Sequence, residues 1–116
     1  MTDKELLELA AKAAGIEVYE STDGTLQNRP VLVFTAGGGM GTMPYEERWN
    51  PLAYDAQALR LAVKLGLDVL RGSEMVVAET EKPKEVGCVE LFSGDPYAAT
   101  RRAIVRAAAE IGKAMK

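Results

Sequence analysis

The chain has 116 residues, enough for one domain but not for two independent cores. At this size roughly 65% of the unfolded chain's surface can be buried, so a core forms without covalent staples. Its 17 acidic and 14 basic side chains give a net charge of −3, and 47% apolar with 27% charged residues is an ordinary globular composition. There is no histidine and a single cysteine, Cys88, which excludes Ser-His-Asp and Cys-His catalysis, the common His/Cys metal cages and any internal disulfide.

No apolar run approaches the roughly 20 residues that span a bilayer, and the opening MTDKELLELAAKAAG is too polar for a signal peptide. These features predict a cytoplasmic protein with no membrane contact, no metal and no cofactor. Cys88, in Val86-Gly87-Cys88-Val89, reads as a small core residue.

The first helix is signalled by Thr2 and Glu5, a capping-box pair, and by the stripe Leu6, Leu7, Ala10, Ala13 and Ala14. Gly15 ends it, in a position that wants positive φ. Ile16 to Glu20 alternates like a short strand before the turn Ser21-Thr22-Asp23-Gly24, and Pro30 to Thr35 is a second, more apolar strand. Residues 36 to 49 (AGGGMGTMPYEERW) show no periodicity, and structureless stretches this long in small domains tend to be functional or disordered.

The second helix is expected to open with Asn50 as cap and Pro51 at its first position, with Trp49 and Tyr54 as a hydrophobic staple. It runs to about Leu65, with Gly66 as stop. At 100° per residue, Leu52, Ala56, Leu59, Ala62 and Val63 share one face. Gln57, Arg60 and Lys64 form the polar stripe, so the helix is expected to be buried by the core or by a partner subunit. Strands follow at Leu67–Leu70, Met75–Glu79 and Val86–Phe92, joined by Arg71-Gly72-Ser73 and Glu81-Lys82-Pro83-Lys84. Asp95 caps the last helix with Pro96 at its first position, and Tyr97, Ile104, Ala108, Ile111 and Met115 give its buried face.

The order α-β-β-α-β-β-β-α predicts an α+β fold. A mainly antiparallel sheet of four to five strands packs with three helices, sandwich-like, in a single domain over residues 1–116.

Gly37-Gly38-Gly39-Met40-Gly41 follows a strand but lacks the Lys-Ser/Thr of a Walker loop and the G-x-G-x-x-G spacing, which argues against a nucleotide. Tyr45-Glu46-Glu47-Arg48-Trp49 gathers aromatic and arginine side chains of the kind enriched in binding hot spots. With Tyr54 and Asp55 it makes the candidate partner surface: Tyr45, Glu46, Arg48, Trp49, Tyr54 and Asp55. The alternative for Trp49 is a purely structural staple. Asp55 falls among apolar positions, either as a buried acid of functional use or as the partner of an arginine.

From residue 95 onward five cations stand against two carboxylates, with Arg101, Arg102, Arg106, Lys113 and Lys116 on one face of the last helix. Arg102, Arg106 and Lys113 are therefore candidates for an anionic partner. The acidic balance of the whole chain, the absence of interleaved aromatics and an Arg106–Glu110 pair argue against nucleic acid.

Trp49-Asn50-Pro51-Leu52 followed by Asp55 and Ala58-Leu59-Arg60-Leu61-Ala62-Val63-Lys64-Leu65 resembles the signature of small phage and prophage proteins. These form the group described as a phage α-β-α (ABA) sandwich domain, similar to NinX-type proteins. The stretch from Asp95-Pro96-Tyr97 to Glu110-Ile111-Gly112 resembles their closing helix. The resemblance implies a sheet flanked by helices and an accessory role in the cytoplasm of a bacterial host. It carries over no catalytic residue. This chain departs from the pattern after Leu52, where Ala53, Tyr54 and Gln57 replace the more acidic run expected beside Asp55.

Together these readings predict a non-enzymatic module that binds another protein or itself, as a homodimer or as a modulator or inhibitor of a host protein. The alternatives are a small carboxylate enzyme using Asp55, Glu46, Glu47 and a Tyr, with Mg²⁺ as an option, and a nucleic-acid binder acting through the basic helix.

Overall fold

The computed structural model describes residues 1–22, 31–80 and 87–115. The turn at Asp23-Gly24, Pro30, the Glu81–Lys84 connection, Val86 and Lys116 lie outside the described residues.

Helix α1 (Asp3–Ala14) starts as its caps require. The Glu5 amide donates to Thr2 Oγ1 at 3.1 Å, and the Thr2 hydroxyl donates to the Glu5 carboxylate at 3.2 Å. Gly15 ends it at φ 71°, which lets the Gly15 and Ile16 amides reach back to the last carbonyls. Strands β1 (Tyr19–Ser21), β2 (Val31–Ala36) and β3 (Tyr45–Arg48) form an antiparallel sheet with β2 in the centre, pairing Tyr19 with Val33 and Val33 with Arg48. After helix α2 (Asp55–Leu65), β4 (Leu67–Arg71), β5 (Met75–Thr80) and β6 (Gly87–Leu91) form a second antiparallel sheet in sequence order. Helix α3 (Pro96–Ala114) closes the chain, with the Asp95 carboxylate accepting the Tyr97 and Ala98 amides at 3.1 Å each.

The fold is α+β, as the element order predicts, but the described residues hold six strands rather than four or five, divided between two sheets. The added strand is β3, inside a stretch with no period. Its residues Tyr-Glu-Glu-Arg form an edge, mostly exposed, so no apolar alternation marks it.

Helix α3 is the hub, packed against α1, α2 and the second sheet. Its buried residues are mostly small: Ala99, Ala103, Ala107, Ala108, Ala109 and Gly112, with Ile104 and Val105. Tyr97 and Met115, expected on the buried face, are exposed: Tyr97 stands in the first turn of α3 and Met115 is the C-cap beyond its last residue, so both lie at the ends of the packed length. The first sheet joins this core through Leu32, Phe34 and Trp49.

The second helix corrects the sequence reading twice. Asn50 does not cap it. The Asn50 carbonyl accepts the Ala53 and Tyr54 amides, closing a separate turn around the fully buried Pro51. Tyr54 then has extended backbone (ψ 112°), so α2 begins only at Asp55 and has no side-chain cap. Its buried face is Gln57, Ala58, Leu61 and Ala62, whereas Leu59 and Val63 are exposed. With apolar residues around most of the circumference, a helical projection cannot choose the face. A specific polar contact of Gln57 chooses it.

Candidate functional site

The segment 45–55 is not one surface. Trp49 is buried at 4% exposure, donates its indole N–H to the Leu7 carbonyl at 2.8 Å, and meets the Phe34 ring edge to face at 5.9 Å. It joins the first sheet to α1 as a core residue and does not stand on the surface with its neighbours. Gln57, expected to be solvated, bridges the same connection. Its amide Nε2 donates to the Arg48 carbonyl and its Oε1 accepts the Asn50 amide at 2.7 Å.

The other members spread out. Tyr45 is exposed beside Gly37, where an added β-carbon would stand 3.0 Å from its ring. Glu46 is exposed and accepts from the Ser21 hydroxyl at 3.4 Å. Arg48 and Tyr54 share a shallow depression with Glu47 and Arg60, while Asp55 faces the other way, toward α3. The glycine-rich stretch forms the β2–β3 connection, with the Thr42 amide and hydroxyl both donating to the Gly39 carbonyl.

Asp55 is an exposed carboxylate that accepts from Arg101 Nη1 at 2.7 Å, while Arg101 Nε donates to the Leu52 carbonyl. The rest of the basic face is similarly engaged. Arg106 is ion-paired with Glu90 of β6 rather than with Glu110 and donates to the Val89 carbonyl. Arg102 reaches Asp3 at 3.2 Å and Glu90 at 3.9 Å. Of the cations on this face in the described residues, only Lys113 lacks a carboxylate partner. The three arginines tie α3 to α1, α2 and β6. Among the described residues no three carboxylate or thiol groups are placed to share a metal ion.

The surface that stands out lies on the second sheet. Its inner face (Leu67, Val76, Ala78 and Cys88) is buried against α3, consistent with the reading of Cys88 as core. Register puts Leu70, Val77 and Val89 side by side on the opposite face, with Met75 and Leu91 paired in the next row. Leu70 is 54% exposed, Met75 42%, Val89 49% and Leu91 66%. Asp68 and Glu79 form the row at the far end. An open groove of about 530 Å³ runs between α2, α3 and β4, lined by Leu59, Ala62, Val69 and Tyr97.

The sequence held a signal for this face. Met75-Val76-Val77-Ala78 is apolar at every position, and Val69-Leu70 and Cys88-Val89 are apolar pairs, a pattern of strands covered on both faces.

Comparison with family models, with curated proteins and with solved structures finds no match in any of the three. Among the described residues no helix is long and apolar enough to cross a membrane.

Proposed function

We propose that this chain is a non-enzymatic binding module that docks the outer face of its second sheet on another protein surface. The observation that supports this is the aliphatic block of Leu70, Met75, Val77, Val89 and Leu91, contiguous across three strands, four of its five side chains being exposed in the structure of the described residues. A monomeric soluble protein rarely leaves such a patch bare, and patches of a few hundred Å² mark interaction surfaces. The Trp-Asn-Pro-Leu and closing-helix resemblance adds the setting of a phage or prophage accessory protein in a bacterial host.

The test is chemical cross-linking with mass spectrometry in bacterial lysate, comparing the wild type with Leu91→Lys. The expected result is that cross-links fall around β4, β5 and β6 and are lost in the variant. Cross-links that map elsewhere and survive in the variant would overturn the reading.

A further inference from the structure

We infer that the groove between α2, α3 and β4 binds a small amphipathic carboxylate, its aliphatic body along the floor and its carboxylate on Arg71. The groove lies on the other side of β4 from the outer sheet face. Side chains alternate along a strand, and Val69 and Arg71, which line the groove, flank the outward Leu70. The site is therefore separate from the docking face proposed above.

The groove follows from small residues on α2. Ala58 and Ala62, 2% and 4% exposed, form its floor together with Ile104 of α3. Alanines at these positions leave a trough between the two helices. Larger apolar side chains stand around it with much of their surface bare, Leu59 at 65%, Tyr97 at 72% and Val69 at 38%. From Tyr97 to Ile104 the trough follows two turns of α3, about 10 Å. Its volume of about 530 Å³ falls within the range of small-ligand sites, roughly 300 to 1,000 Å³.

The charged groups select the ligand's head. Among the described residues, the ionised side chains lining the groove are Asp55, Arg101 and Arg71. Asp55 and Arg101 meet at 2.7 Å and offset each other. Arg71 has no carboxylate partner among the described residues. Its guanidinium lies over the Phe92 ring, 5.5 Å from the centroid, a contact that steadies the fork without using its N–H donors. One uncompensated guanidinium beside an apolar trough suits one carboxylate, which the planar fork binds through two parallel hydrogen bonds. A phosphate would bring a second negative charge that Arg71 does not balance and that Asp55 repels.

The experiment is titration of the full chain with octanoate, whose extended chain is about as long as the groove, and with octanol as its uncharged counterpart. Backbone amide shifts are followed by NMR from about 10 µM to about 3 mM ligand. Octanoate is expected to saturate with a Kd below about 1 mM, a strength within reach of about ten heavy atoms, and to shift the amides of residues 58–62, 69–71 and 97–104. Octanol is expected to bind at least about tenfold more weakly. Arg71→Gln is expected to weaken octanoate at least about tenfold while leaving octanol unchanged, a split that a general loss of structure does not give. Leu91→Lys is expected to bind octanoate like the wild type. Equal affinity for octanoate and octanol overturns the carboxylate site and leaves the groove to an uncharged ligand. Shifts centred on Leu70, Val89 and Leu91 that vanish in Leu91→Lys mean adsorption on the outer face, and they overturn the site, as does an absence of saturable binding. The lysate cross-links of Leu91→Lys report on the docking face alone, so either reading can fail without the other.

Discussion

Gly112 of α3 crosses α1 at Leu9 so closely that a β-carbon on Gly112 would stand 2.0 Å from the Leu9 carbonyl oxygen. That atom is helix backbone, which cannot turn aside. Replacing glycine by alanine inside a helix ordinarily stabilises by about 1 kcal/mol. Here Gly112→Ala is expected to destabilise by about 3 kcal/mol, the upper end for overpacking. Urea unfolding with a fixed slope reads the sign directly, and a gain in stability would mean that the two helices pack further apart.

Gln57 supplies both halves of its amide to the chain between β3 and α2. Gln57→Leu keeps the volume but leaves the Arg48 carbonyl and the Asn50 amide without their partner. The expected loss is about 2 kcal/mol. Wild-type stability in the same urea series would show that the bridge contributes nothing.

The elements and ends of this fold were legible wherever one residue type has one physical use. Thr2, Gly15, Gly66 and Asp95 sit where capping chemistry requires, and the strands of the second sheet fall within a residue or two of their expected bounds. What escaped were choices made by contacts distant in sequence. Trp49 is held by Leu7, 42 positions away, and the face of α2 is set by what Gln57 can bond. Arg101, Arg102 and Arg106 read as a basic stripe because the carboxylates that meet them lie on α1, α2 and β6. Of the candidate binding residues, Asp55 showed its arginine partner, while Trp49 turned out to be core.

Glu90 is a half-buried carboxylate shared between Arg106 and Arg102. Glu90→Gln is expected to cost about 1–2 kcal/mol, since it removes charge-assisted hydrogen bonds while leaving the shape intact. The same variant separates structural from nucleic-acid roles for α3. Freed arginines raise the affinity for a DNA duplex at low salt, whereas the wild type is expected to show only weak, salt-sensitive binding by fluorescence anisotropy.

Burial pushes the Cys88 thiol above its ordinary value, with nearby Arg106 opposing the rise. A raised value means less thiolate at a given pH, so alkylation of the native protein at pH 8 is expected to run at least about tenfold slower than in urea. The unfolded chain releases this proton first as pH climbs through the ordinary thiol range. Stability should therefore fall above about pH 9, and Cys88→Ala should remove that part of the slope. Rapid alkylation of the native state would show that the inner face of the second sheet opens.

Trp49 is the only tryptophan of the chain, and its ring lies on the seam between the first sheet and α1. Its fluorescence therefore monitors one seam, while far-UV circular dichroism is dominated by three helices gathered around α3. If the emission reddens before the helical signal fades, the first sheet peels away as its own cooperative unit. If the two curves superimpose, the chain melts in a single step. One indole thus gives the molecule a built-in gauge of how tightly its two halves are coupled.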